Sequence, residues 1–157
     1  MSATPEIIEL DNLDKQILGI LQDDAKASLR EIEERTNLST TSIRMRIKRL
    51  KEKNVIKKYI TLIECRYLGY REMVMVSLRV NSSKKLKELK SIIEEMGKVK
   101  YAYIITGEYP LFVMAKCLDH NDSLELIETL RNLPGVEEVK TQIVLDKIKE
   151  DPTIIIP

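Results

Sequence analysis

Histidine occurs once and cysteine twice in this chain of 157 residues, and both scarcities narrow its chemistry. With His120 alone, most acid–base or metal chemistries would have to run on carboxylates, and no carboxylate pair stands out. Cys65 and Cys117 lie far apart and form no C-x-x-C pair, which fits a reduced, cytosolic setting. There is no P-loop, no Gly-rich dinucleotide turn and no Ser/His/Asp set. No N-terminal apolar run has signal length, and no stretch is long enough to span a bilayer, so a cytoplasmic protein with no membrane partner is expected. Glutamine is represented only by Gln16, Gln22 and Gln142, and 32% of residues are charged. That balance leans thermophilic. The chain reads as a non-enzyme without a metal or cofactor.

What is present is apolar material enough for a packed core, at 43%, and a hidden charge asymmetry. The net charge is only +1. Yet residues 39–58 carry eight Lys and Arg against one acid, whereas residues 1–38 carry four against nine. A basic block on a neutral chain marks a local anion-binding surface.

The block sits inside a helical pattern. Asp11 or Asn12 can cap a helix over 12–23 whose apolar stripe is Leu13, Ile17, Leu18, Ile20 and Leu21. Ser28 and Glu31 have capping-box spacing, in which each side chain satisfies the other residue's free N–H. They open a helix that carries Leu29 and Ile32 and ends at Thr36-Asn37, where Asn tolerates the left-handed turn. Ser39 caps a third helix, which reaches Lys53. Asn54 then takes the place usual for glycine, and Val55–Ile63 alternates enough for a short strand or wing. Residues 10–63 therefore describe a winged helix-turn-helix.

Residues 64–71, with Gly69, read as a linker, and 72–150 alternate strands and helices. Met73–Val80 has period two. Ser82 or Ser83 caps a helix with Leu86, Leu89, Ile92, Ile93 and Met96, which Gly97 stops. Strands follow at Val99–Thr106 and Leu111–Cys117, separated by a turn at 107–110. Asn121 or Asp122 caps a helix with Leu124, Ile127 and Leu130. Pro134-Gly135 ends it, and Val136–Asp146 is the last strand. The order βαββαβ gives a ferredoxin-like domain and an α+β chain. Met73, Met75, Tyr101, Tyr103 and Phe112 would lie on the helix-free face, too apolar to stay wet, so a homodimer is expected.

On the third helix, Ile43, Ile47 and Leu50 share one narrow face, and the opposite side presents Thr41, Arg44, Met45, Lys48 and Arg49. Arg44 and Lys48 can donate to guanine, while Met45 or the Thr41 methyl can touch a thymine methyl. Ser39 and Thr40 lead into that face. Lys51, Lys53, Lys57 and Lys58 suit phosphates. The alternative is a solvated basic face. The loop Thr106-Gly107-Glu108-Tyr109 offers a close backbone approach, a carboxylate for an ammonium group and an aromatic cover; the alternative is an ordinary hairpin turn. The Asp-His-Asn-Asp loop around His120 lacks the ligands and the glycine of a calcium loop and reads as surface.

Leu13-Asp14-x-x-Ile17-Leu18-x-x-Leu21-Gln22-x-Asp24-Ala25, Leu38-Ser39, Arg46-Ile47-x-Arg49-Leu50 and Val55-Ile56-x-x-Tyr59 resemble the DNA-binding half of the Lrp/AsnC regulators. Gly107-Glu108, Leu133-Pro134-Gly135-Val136 and Thr141 resemble their effector domain, so the likeness covers about residues 10–150. It implies a helix-turn-helix with its two motif helices at 29–48, double-stranded DNA as partner, and dimers assembling to octamers. It also implies a small amino-acid effector bound between dimers near Thr106–Tyr109, with Thr141 and Gln142 as further candidates. The implied function is a sequence-specific transcriptional regulator. The rival is an architectural DNA-coating protein with weak sequence preference. Three departures stand out: Lys51 replaces a usual Glu, Asn54 and Lys58 replace usual glycines, and Pro110 replaces an aspartate that often helps hold the effector.

Overall fold

The computed structural model describes residues 8–157. The chain divides into two compact units: one runs to Leu62 and includes Asp151–Pro157, and the other is Ile63–Glu150.

The first unit is built from three helices, α1 (Asn12–Asp23), α2 (Leu29–Thr36) and α3 (Thr40–Glu52). Local chemistry sets each start. Asp11 and Asp14 form a reciprocal capping box at α1, as Ser28 and Glu31 do at α2, and Ser39 accepts the Ser42 N–H at α3. Each box satisfies donors that a helix start leaves unpaired. Asn37 and Asn54 both adopt the left-handed conformation, at φ 57° and 56°, so the two asparagines end α2 and α3 as glycine would. Ile17, Ile20, Leu21, Ile32 and Ile43 form the core, with Leu29, Leu38, Ile47 and Ile56 packed around it.

The wing expected at 55–63 is not built as a strand. Residues 57–64 have no regular structure, and Tyr59, Ile60, Leu62 and Ile63 are exposed. Alternation prepares a strand, but the ladder needs a hydrogen-bonding neighbour, and none pairs with this segment among the described residues.

The second unit begins with a 3₁₀ turn at Cys65–Leu68, closed by Gly69. Then come β1 (Glu72–Val80), α4 (Ser83–Glu95), β2 (Val99–Ile104), β3 (Leu111–Cys117), α5 (His120–Arg131) and β4 (Val136–Ile143). The strands form one antiparallel sheet in the order β2-β3-β1-β4. Val74, Val76, Leu78, Val113, Ala115 and Cys117 point to the face covered by the helices, where they meet Leu89, Ile93, Leu126 and Leu130. This is the ferredoxin-like βαββαβ arrangement. Gly135 is required twice over: its φ is +83°, and a Cβ there would stand 2.8 Å from Lys85 Cβ.

Three boundaries differ from the expected ones: β2 ends at Ile104 rather than Thr106, and the start of α5 and the end of β4 also move. Asp119, rather than Asn121 or Asp122, caps α5 by accepting the Asp122 N–H. Asp122 instead accepts the Leu118 N–H at 2.9 Å and pairs with Lys98. The last strand stops at Ile143, so Leu145 and Ile148 are left exposed.

Candidate nucleic-acid interface and effector hairpin

Helix α3 is glued to its unit by Ile43 and Leu50, both buried, with Ile47 half-buried beside them. Its other side carries the residues that the sequence singled out. Ser39, Thr41, Arg44, Met45, Lys48, Arg49, Lys51, Lys57 and Lys58 are exposed, and Thr40 is half-buried. Ser39 takes the Ser42 N–H and its carbonyl takes the Ile43 N–H. The amides of Thr40 and Thr41 therefore remain as donors at the positive end of the helix.

The basic side chains are not equivalent. Arg44 has no ion-pair partner among the described residues. Lys48 lies 3.7 Å from Glu52 with both side chains about two-thirds exposed, a pair that water and salt weaken. Lys51 sits 4.8 Å above the Tyr59 ring, a cation–π contact that draws the chain after α3 back onto the helix. Met45 is 62% exposed and takes no part in the core.

Arg49 has a second task, which the helical wheel did not reveal. Its guanidinium pairs with Asp14, which is fully buried, and Arg46 binds the same carboxylate at 2.8 Å and Asp11 at 2.7 Å. Asp14 thus takes two arginines of α3 and the Asp11 N–H. This clamp fixes α3 against α1. The Asp11 carboxyl is held below its ordinary range, first by the Asp14 N–H and then by Arg46, and the Arg46 guanidinium is held above its own. The sequence carried one signal for the clamp, the Asp11-x-x-Asp14 spacing, which matches the box at Ser28.

In the sheet unit, the β2–β3 hairpin closes through the Ile105 N–H on the Pro110 carbonyl at 2.9 Å. Gly107 adopts φ +114°, and a Cβ there would meet nothing within 4 Å. Its backbone faces open space. Thr106 and Glu108 are exposed and Tyr109 is half-buried. Arg79 ties Glu108 at 3.1 Å and Glu138 at 2.7 Å. The Tyr109 hydroxyl donates to Glu138 at 2.8 Å, and Lys140 sits 4.0 Å over its ring. The loop is thus braced by Arg79, Glu138 and Lys140, which sequence reasoning did not pick out. Thr141 and Gln142 are exposed on β4, where they pair with Val76 and Met75. Among the described residues, no side-chain hydrogen bond joins them to the loop.

Among the described residues, no group of three or more His, Cys, Asp or Glu side chains could hold a metal, and no helix is long and apolar enough to cross a membrane.

The halves match two family descriptions in order. Residues 10–51 match the AsnC-type helix-turn-helix domain, and 73–154 match the Lrp/AsnC ligand binding domain. An uncharacterised HTH-type transcriptional regulator of Pyrococcus abyssi is 34% identical over 90% of this chain and 96% of its own. Two solved structures share the fold. One is the L-Met complex of a Neisseria meningitidis transcriptional regulator, with TM-score 0.85 and 22% identity, covering 94% of this chain and 97% of that one. The other is a feast or famine regulatory protein of M. tuberculosis complexed with L-methionine, with TM-score 0.87 and 21% identity, covering 95% and 100%. The chain belongs to the Lrp/AsnC family of transcriptional regulators, DNA-binding proteins rather than enzymes.

Proposed function

We propose that the protein is a sequence-specific regulator that reads double-stranded DNA with the exposed side of α3. The observation that carries this reading is the division of labour along one helix. Arg46 and Arg49 engage Asp14, while Arg44, Met45 and Lys48 stay clear of the core, with Thr41 and Arg44 in the first turns, the part of a recognition helix that meets base edges. Arg44 and Lys48 would donate to guanine, and Met45 or Thr41 would touch thymine methyls. Ser39, Thr40, Lys51, Lys57 and Lys58, with the outer edge of Arg49, would hold phosphates. Two chains of a cytoplasmic homodimer would set two such helices in successive major grooves, and dimers would assemble to octamers.

The second half of the reading is an amino-acid effector near the Thr106–Tyr109 hairpin. Open space at Gly107 supports it, as do the L-methionine complexes of two proteins with this fold. Glu108 is exposed and half-buried Arg79 keeps Glu138 as a second partner, so Glu108 can exchange its partner for a ligand ammonium. Thr141 and Gln142 would join the site from a neighbouring chain. The effector acts only by binding one assembly better than another.

Gel-shift titration tests the reader. Arg44→Ala should cost about 1–3 kcal/mol of binding and relax sequence preference. Unchanged affinity and preference in both Arg44→Ala and Lys48→Ala would remove α3 from that role. A thermal-shift panel of free amino acids tests the effector, because a ligand of the native state raises the melting temperature. A flat panel would exclude the class.

A further inference from the structure

The segment 151–157 leaves the sheet unit that precedes it and joins the helical unit. Its docking is two-sided. The Gln22 side-chain amide donates from Nε2 to the Ile154 carbonyl at 2.7 Å and accepts the Ile154 N–H on Oε1 at 3.1 Å. A carboxamide used this way takes the place of a neighbouring strand, since it satisfies both backbone groups of one residue. Gln22 lies in the last turn of α1, so a helix rather than a loop carries the receptor.

The segment is also prepared for docking. Asp151 Oδ1 accepts the Thr153 N–H at 2.9 Å and the Thr153 hydroxyl at 2.7 Å, and Pro152 fixes the backbone angle between them. On the other side, Glu150 is anchored in the sheet unit by Lys116 at 3.2 Å and by Lys147. Only Asp151, Pro152 and Thr153 separate the two anchors. The chain therefore passes between its units twice, at Leu62–Ile63 and at Glu150–Asp151.

We propose that residues 151–157 are a latch that gives the DNA-binding helices a second, short connection to the effector unit, and that Gln22 is the positioning residue that closes it. One connection leaves a unit free to swivel about it, whereas two leave little more than a hinge. The latch is releasable, because an exposed hydrogen bond shifts an equilibrium by only about three- to tenfold. Its consequence rests on the DNA-reader assignment above. A latched dimer accepts few half-site spacings, and an unlatched one tolerates many.

The test uses the full chain, Gln22→Ala, Gln22→Glu, and a chain lacking 151–157. Gln22→Glu keeps the acceptor and removes the donor while preserving a good helix former at the end of α1. Hydrogen exchange should show the Ile154 amide slowed roughly tenfold in the wild type and released in Gln22→Ala. In the second arm, the wild-type protein selects duplexes from a random pool, and about 5 base pairs, half a helical turn, are then inserted between the half-sites. The wild type should lose at least about tenfold in affinity on insertion. Gln22→Ala, Gln22→Glu and the shortened chain should lose no more than about threefold, with unchanged affinity for the uninserted duplex. Fast exchange of Ile154 in the wild type, or an equal loss in all four proteins, overturns the latch. If the wild type selects no sequence, the DNA-reader assignment falls, and the Ile154 exchange still decides whether Gln22 closes the latch.

Discussion

Asp14 is the residue on which the orientation of the reading helix depends. It is fully buried and charged, which is costly unless paired, and here two guanidiniums share it. Replacing it with alanine leaves Arg49 without its carboxylate and Arg46 with Asp11 alone. Asp14→Ala should cost about 3 kcal/mol in chemical denaturation and weaken DNA binding beyond what the unfolded fraction explains. Asp11 adds a pH dependence. Its folded pKa lies below the ordinary 3.8 because the Asp14 N–H and Arg46 favour the carboxylate. The cap's contribution is therefore complete above that value and is lost as pH falls through the lower, folded one. Acid unfolding of Asp11→Asn, followed by circular dichroism, should lack this part of the dependence. The clamp escaped the helical wheel because a wheel records which side of α3 Arg49 occupies, whereas Asp14 reaches it from a different helix.

In the proposed reading, helix α3 supplies selectivity and the lysines at its end and beyond it supply affinity. Lys51, Lys57 and Lys58 are exposed, and Lys51 stacks on Tyr59; the proposed reading assigns them to phosphates rather than base edges. Changing Lys57 and Lys58 to alanine should flatten the salt dependence of DNA binding by roughly 0.9 log units per log salt for each phosphate left without its lysine, with little change in sequence preference. A steeper loss for one sequence than another would make them readers instead. The helices themselves were plain from the sequence because their causes are local. Ser28 with Glu31 starts one helix, and Asn37 ends it after eight helical residues. The wing was not, because alternation at 55–63 supplies side chains but no pairing partner. The start of α5 was displaced for a related reason: Asp119, Asn121 and Asp122 are all capable caps, and the end of β3 decides among them.

The proposed assembly rests on the sheet face that the helices leave bare. Ser77 lies opposite Phe112, Met75 opposite Met114, and Tyr101 and Tyr103 continue the two rows onto β2. The tyrosines are about half exposed, and their rings stack at 6.3 Å. A face this apolar is what a second chain would cover. Replacing Met75 and Phe112 together with aspartate should leave the helix-side core intact, shift sedimentation to the monomer, and reduce DNA binding to that of one half-site. Retained dimers would move the interface elsewhere. The βαββαβ order and this face were readable from period-two strands and helix stops such as Gly135. The geometry of the candidate hairpin was readable only in part. Gly107 and Glu108 declare themselves, but Arg79, Glu138 and Lys140 come from β1 and β4, and only the register brings them there.

The strand order has a consequence in time. The three helices close their core among near neighbours in the chain, whereas β1 cannot gain both of its partners until β4 returns from the far end of the sheet unit. Near-neighbour contacts form fast and distant strand pairs form slowly. On refolding, the reading helix would be in place while the sheet is still searching. For that interval the molecule would hold the proposed DNA-binding surface with neither the candidate effector hairpin nor the apolar sheet face yet formed.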